Sequence, residues 1–354
     1  MTDDTGKNIR PAGGVFRPMS TGSKMLFVGI VMVAVFVAAY AIIGSNETTR
    51  QACGPGKSCN YDLAAFQKTD PNIVKYEPAA TLSTGLKNAR GIAVGPDDKV
   101  YVTGGKLVRI FAYRTMKSEI TLDAAAECMA VAPDGTIYLG MRDHVEAWAW
   151  SPDGARKESW PSLGERAFIT SIAATEKDVF VADAGNRVIL RYDRAGTLVN
   201  RIGQKDEARN VPGLVVPSHH LDVAMGPDGL LRVVNPGRHL IEAYTLEGDR
   251  ETAWGKPSTE PDGFPGCCNP TDIAIHGSML FAADKGLLRV KAYEIDGTFI
   301  GLVAGPEAFA KVYEKGEPED FHGLDLAVDS KGEVLVLDPS TGDVRVFIPK
   351  QARR

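Results

Sequence analysis

The chain has 354 residues, 44% of them hydrophobic and 24% charged, with a formal net charge of -5. That apolar share suffices for a continuous core, and no basic stripe interleaved with aromatics appears, which excludes nucleic acid as the main partner. Cys-x-x-Cys-His occurs nowhere and no lipobox surrounds Cys53, which removes haem attachment and lipoprotein anchoring.

In chain order, residues 1–24 are polar and rich in Gly, Ser, Thr and Pro, the composition of a disordered tail. Residues 25–44, MLFVGIVMVAVFVAAYAIIG, carry no charge. At about 1.5 Å per residue such a helix spans the roughly 30 Å core of a bilayer. Lys7, Arg10, Arg17 and Lys24 precede it and only Arg50 soon follows. This charge bias places the amino terminus in the cytoplasm and the rest outside. The compact single-pass anchor and the lack of other secretory features point to a bacterial inner membrane. Ala39-Tyr40-Ala41 offers the competing reading of a cleaved signal peptide. The long amino-terminal region and the continuation through Ile42 and Ile43 favour a retained anchor. Residues 45–73 read as a linker and collar, in which Cys53 and Cys59 bracket a Gly-Pro-rich loop and are candidates for a small disulfide ring.

From Arg90 to Phe347 one phrase recurs six times: an apolar strand, a tight turn, a second strand ending near Asp, and a third strand. Taking Ile92, Met129, Ile172, Val223, Ile273 and Leu326 as markers of the innermost strands gives spacings of 37, 43, 51, 50 and 53 residues. That period suits four short strands with their turns, the blade of a β-propeller. Gly95-Pro96-Asp97, Ala132-Pro133-Asp134-Gly135 and Gly226-Pro227-Asp228-Gly229 mark the first turns of blades 1, 2 and 4. Asp183, Asn235, Asp284 and Asp338 end second strands, where such side chains hydrogen-bond turn backbone and carry no chemistry. The last repeat has three strands before the chain ends. An open sheet edge demands a fourth, and residues 74–82 are the natural donor. The expected architecture is all-β: a six-bladed propeller over residues 74–349, with a short tail at 350–354, preceded by one transmembrane helix.

Loops leading into inner strands gather at one mouth of a propeller channel. There the sequence offers Arg90, Ser218-His219-His220-Leu221-Asp222, Cys267-Cys268-Asn269-Pro270-Thr271-Asp272 and Phe321-His322-Gly323-Leu324-Asp325. Asp222, Asp272 and Asp325 each stand one residue before a marker and are expected to line the channel. With Arg90 and Asn269 they form the candidate ligand-binding set. His219, His220, Cys267, Cys268 and His322 form a candidate metal set, since thiolate and imidazole suit zinc or copper. Adjacent cysteines also admit a vicinal disulfide, a cross-link to another chain, or simple packing with one of them paired to Cys128.

The clearest copy, VFVADAGNRVILRY from Val179 to Tyr192, closely resembles the NHL repeat. The resemblance extends from about Val74 to Ile348 and implies an NHL-type propeller, a superfamily of scaffolds, ligand-binding modules and enzymes. Cys268 followed by Pro270-Thr271-Asp272-Ile273-Ala274-Ile275 is similar to a segment of the peptidyl-amidoglycolate lyases, and Phe321-His322-Gly323-Leu324 to their His-Gly-Leu strand openings. That resemblance implies zinc held by His219 or His220 and by His322.

No Ser-His-Asp order, spaced carboxylate pair or Gly-rich phosphate loop is present. Two readings stand. One is a membrane-tethered binding or assembly module with a protein partner at the membrane, as in an accessory subunit of a membrane complex. The other is a metal-dependent or redox-linked lyase or hydrolase acting on a small-molecule ligand at the channel mouth.

Overall fold

From residue 74 onward the sequence is made of short runs of β-branched and aromatic residues, each closed by a Gly- or Asp-containing turn. In the computed structural model, which describes residues 68–151, 154–309 and 323–350, they form 24 strands in six antiparallel four-stranded sheets. Blade 1 comprises β2 (Ala89–Val94), β3 (Val100–Gly104), β4 (Leu107–Ala112) and β5 (Thr115–Thr121), and the sixth blade borrows β1 (Tyr76–Ser83). Blade 2 holds β6 (Cys128–Val131), β7 (Ile137–Gly140), β8 (Val145–Ser151) and β9 (Gly154–Ser159). Blade 3 holds β10 (Ile169–Ala174), β11 (Asp178–Asp183), β12 (Val188–Asp193) and β13 (Leu198–Ile202). Blade 4 holds β14 (Val223–Met225), β15 (Leu231–Asn235), β16 (Leu240–Tyr244) and β17 (Arg250–Trp254). Blade 5 holds β18 (Asp272–His276), β19 (Met279–Asp284), β20 (Arg289–Glu294) and β21 (Phe299–Ala304). Blade 6 holds β22 (Asp325–Val328), β23 (Val334–Asp338) and β24 (Asp343–Pro349), with β1 outside β24.

The protein is therefore an all-β, six-bladed propeller. β1 runs antiparallel to β24 from Tyr76 opposite Pro349 to Ser83 opposite Asp343. Just upstream, the Lys75 amide donates to the Leu302 carbonyl at 2.8 Å and the Leu302 amide to the Ile73 carbonyl at 2.8 Å, so the same segment also covers the edge of blade 5. Two open edges are thus satisfied by one stretch of chain.

The cores lie between blades. Leu82, Leu335 and Val344 of blade 6 pack with Ile92, Val102 and Phe111 of blade 1. Comparable clusters join every other neighbouring pair, so each blade buries both of its faces. First turns are pinned by their aspartates: Asp97, Asp134 and Asp228 accept from the amides of Lys99, Thr136 and Leu230. Of the acids and amide ending second strands, Asp183 accepts from the Asn186 amide at 3.1 Å, Asn235 from Val215 at 2.9 Å and Asp338 from Ser340 at 3.1 Å. Asp284 departs from this pattern. It is fully buried and ion-paired with Lys291, also fully buried, whose ammonium reaches on to the Gly263 carbonyl. The reason is the long connection from Gly255 to Thr271, which must be fastened to blade 5.

Among the described residues no helix is long and apolar enough to cross a membrane. Residues 25–44, Cys53 and Cys59 lie outside them, as does His322.

Candidate functional site

The position immediately before each marker forms a ring around the channel: Gly91, Cys128, Ser171, Asp222, Asp272 and Asp325. At four of the six positions these side chains tie blade to blade. Ser171 Oγ accepts from the Val223 amide at 3.4 Å, Asp222 Oδ2 from Ile273 at 2.6 Å, Asp272 Oδ1 from Leu326 at 3.0 Å and Asp325 Oδ2 from Ile92 at 2.5 Å. Each acceptor thus holds the marker of the next blade. The series stops at Gly91, where a Cβ would sit 3.2 Å from the Cys128 Cα and 3.2 Å from the Met129 nitrogen. There the neighbouring inner strand takes the space a side chain would fill.

Three carboxyl groups gathered in one channel cannot all be charged. Asp222 is pushed up to about 7, first by burial, against the opposing hydrogen bonds from Ser171 and the Ile273 amide. Asp272 is held well above the ordinary carboxylate range by burial and by the charges of Asp222 and Asp325. Asp325 is raised to about 6 by burial and relieved by a hydrogen bond from Asp272. Asp272 therefore holds a proton and donates it to Asp325. The same field, after burial itself, pushes the Cys128 thiol up.

Above this ring lies a narrow cavity of about 40 Å³ lined by Arg90, His219, His220, Asp222, Asp272 and Asp325, together with Glu127, Phe168 and Thr271. It has room for about three ordered waters. Arg90 is ion-paired with Glu127, one blade on. His219 lies flat on Phe168, ring centres 4.2 Å apart, with the Arg142 guanidinium 5.2 Å from the Phe168 centre. His220 is buried, beside Gly323 and Leu221.

Cys267, Cys268 and Asn269 do not line this cavity. Asn269 is buried and its amide ties the loop to the turn after β19, donating to the Pro265 carbonyl at 2.7 Å and the Lys285 carbonyl at 3.0 Å and accepting from the Lys285 amide at 2.8 Å. Cys267 is exposed and Cys268 buried; both are free thiols, with sulfurs 3.1 Å apart. Cys128 is free as well, so neither is paired with it. Among the described residues no three His, Cys, Asp or Glu side chains are arranged to hold a metal ion. The imidazoles face the cavity while the thiols sit on the loop beside it, so the described part of the zinc or copper set does not converge. Phe168 and Ser171 escape sequence reasoning because neither is a charged or ligating type. Ser171 is legible only by register, as the occupant of the position held by aspartate in the next three blades.

No protein-family model matches the chain, and neither does any curated protein sequence. Solved structures do. The fold is similar to that of a selenomethionine-substituted virginiamycin B lyase from Staphylococcus aureus, with a TM-score of 0.53 and 11% identity over 78% of this chain and 100% of that one. A streptogramin B lyase superposes with a TM-score of 0.50 at 11% identity, covering 78% and 98%. A structural genomics protein of unknown function from Bacteroides thetaiotaomicron gives a TM-score of 0.55 and 15% identity over 81% and 74%. At such identities the likeness is one of fold.

Proposed function

We propose that the chain is a binding or assembly module for a protein partner, tethered to the outer face of a cytoplasmic membrane by residues 25–44 and engaging that partner through the rim of blade 1. The observation that carries this is a contrast of spaces. The channel mouth offers about 40 Å³, and its carboxyl groups are committed to holding blades together. The rim offers a concavity of about 590 Å³ between blades 1 and 2 and another of about 440 Å³ between blades 6 and 1. Beside the second stands the turn between β4 and β5, where Tyr113 and Arg114 both adopt left-handed backbone, φ 48° and 64°, and Tyr113 is 98% exposed. Such two-residue turns ordinarily take Asn-Gly. Holding two bulky residues there costs about 1–3 kcal/mol each, and tyrosine and arginine are the side chains that most often anchor protein interfaces. An accessory subunit of a membrane complex fits this reading.

A photoreactive residue at position 113 of the full chain in native membranes is expected to give one discrete cross-linked product that a probe at Val199, exposed on blade 3, does not. No product at 113, or the same product at both sites, refutes the reading.

The lyase reading draws on His219, His220, Arg90 and a protonated Asp272 lining one cavity, and on the lyases among the similar folds. Incubation with virginiamycin B tests it. Turnover that a His219→Ala/His220→Ala variant loses would put chemistry at the mouth ahead of binding at the rim.

A further inference from the structure

The connection from Gly255 to Thr271, between β17 and β18, is fastened with unusual thoroughness. Phe264 is fully buried within it, Lys291 reaches the Gly263 carbonyl from inside the core, and Arg289 donates to the Thr259 carbonyl at 2.7 Å. On the far side Asn269 clamps Pro265 and Lys285, and the Lys285 ammonium reaches Ser218 Oγ of the neighbouring loop at 3.4 Å. Between these anchors only Gly266, Cys267 and Cys268 are left without such a fastening. Gly266, at φ +73° and with Asn269 Nδ2 3.9 Å from where a Cβ would stand, gives that short bridge a backbone conformation that L side chains rarely adopt. The two thiols meet across it at 3.1 Å, one facing solvent and one facing inward. A pair kept only for packing would bury both sulfurs against apolar neighbours. Here the buried thiol is spent on its exposed neighbour.

We propose that Cys267 and Cys268 form a redox-active dithiol that reacts reversibly with disulfides supplied from outside the protein. Cys267, the accessible sulfur, loses its proton to solvent and attacks one sulfur of the incoming disulfide. That sulfur–sulfur bond breaks, the first thiolate leaves and takes up a proton, and a mixed disulfide remains on Cys267. Cys268 then loses its proton and attacks Cys267 Sγ. The Cys267–Cys268 bond forms as the mixed disulfide breaks and the second thiol departs. Two protein thiols are oxidised and one external disulfide is reduced to two thiols. The Lys285 ammonium favours the attacking thiolate, while the hydrogen bond to Cys268 and partial burial hold the Cys267 thiol above its ordinary value of 9.0. Exchange therefore accelerates as the pH rises toward that value.

Tryptic cleavage isolates the pair, because residues 251–285 contain Cys267 and Cys268 and no other cysteine. The full-length protein is equilibrated with glutathione and glutathione disulfide at ratios from reducing to oxidising, quenched by alkylation and mapped by mass. In the wild type this peptide is expected to lose both alkylatable thiols together, falling by about 2 Da with no glutathione retained, and to regain them on reduction. Cys268→Ser is expected to trap a stable glutathione adduct on Cys267, and Cys267→Ser to leave the buried Cys268 unmodified. A persistent adduct on wild-type Cys267, a cross-link to Cys128, or two thiols that survive every ratio overturns the proposal. The wild-type result decides even where a variant folds poorly.

Discussion

Asp222 offers the sharpest test of how the channel is built. Its carboxyl group lies 5% exposed, accepts the Ile273 amide at 2.6 Å and is raised from 3.8 to about 7. A carboxyl group raised on folding binds its proton more tightly in the native state, so its contribution declines as the pH climbs from the unfolded value through the folded one. The gap corresponds to about 4 kcal/mol, of which about 2.5 kcal/mol falls between pH 5 and pH 8. Asp222→Asn keeps an oxygen for the Ile273 amide and removes the titration. In urea unfolding of the protein from residue 45 onward, the wild type is expected to lose stability from pH 5 to pH 8. The variant should lose about 2.5 kcal/mol less, a midpoint difference of about 1 M. His239, held below its ordinary value by burial, pulls the other way at pH below that value, and the comparison with the variant cancels it. Equal pH dependence in the two proteins, or a variant weaker than wild type at pH 8, would refute the account and make Asp222 a charged anchor.

Lys291→Met strands the buried Asp284 carboxylate and is expected to cost about 3–5 kcal/mol at pH 8 by chemical denaturation. The loss should shrink at pH 5, because Asp284 is already raised to about 6 by burial and takes up its proton there. Gly185→Ala places a Cβ 1.8 Å from the Arg166 carbonyl oxygen, so the thermal midpoint should fall by the equivalent of about 2 kcal/mol or more. Tyr113→Asn/Arg114→Gly gives the β4–β5 turn its preferred residues and is expected to stabilise the fold by about 2 kcal/mol or more while abolishing the cross-link formed by a photoreactive residue placed at Met116, exposed on β5.

The six-blade ring is legible because its signal is repeated: an alternation that would be ambiguous once is decisive when six markers recur at blade length. The aspartates at the channel are legible by register too, since Asp222, Asp272 and Asp325 stand at one offset from their markers. Their work is less so. A sequence displays a carboxylate but not the amide of the next blade that it faces, and the three acids prove to be interblade ties that share protons. Convergence of His219, His220, Cys267 and Cys268 is over-read from loop position alone, because Asn269 and Lys285 fix the connection so that its thiols stay outside the cavity. Tyr113 and Arg114 pass unnoticed, since nothing in their types signals a left-handed turn.

The pairing of β1 with β24 has a consequence for how the domain comes off the ribosome. The strand made first has no partner until the strand made last emerges, some 260 residues later. Until then the nascent chain carries an unmatched edge at its beginning and an unfinished sheet at its end, and five blades folded in order cannot close by themselves. A message truncated anywhere before Asp343 therefore yields a protein with both edges bare, readily distinguished from the finished ring by its affinity for other strands. Conversely, fusing residue 350 to residue 74 and opening the chain between β5 and β6 should give a circular permutant in which every blade is made from consecutive strands.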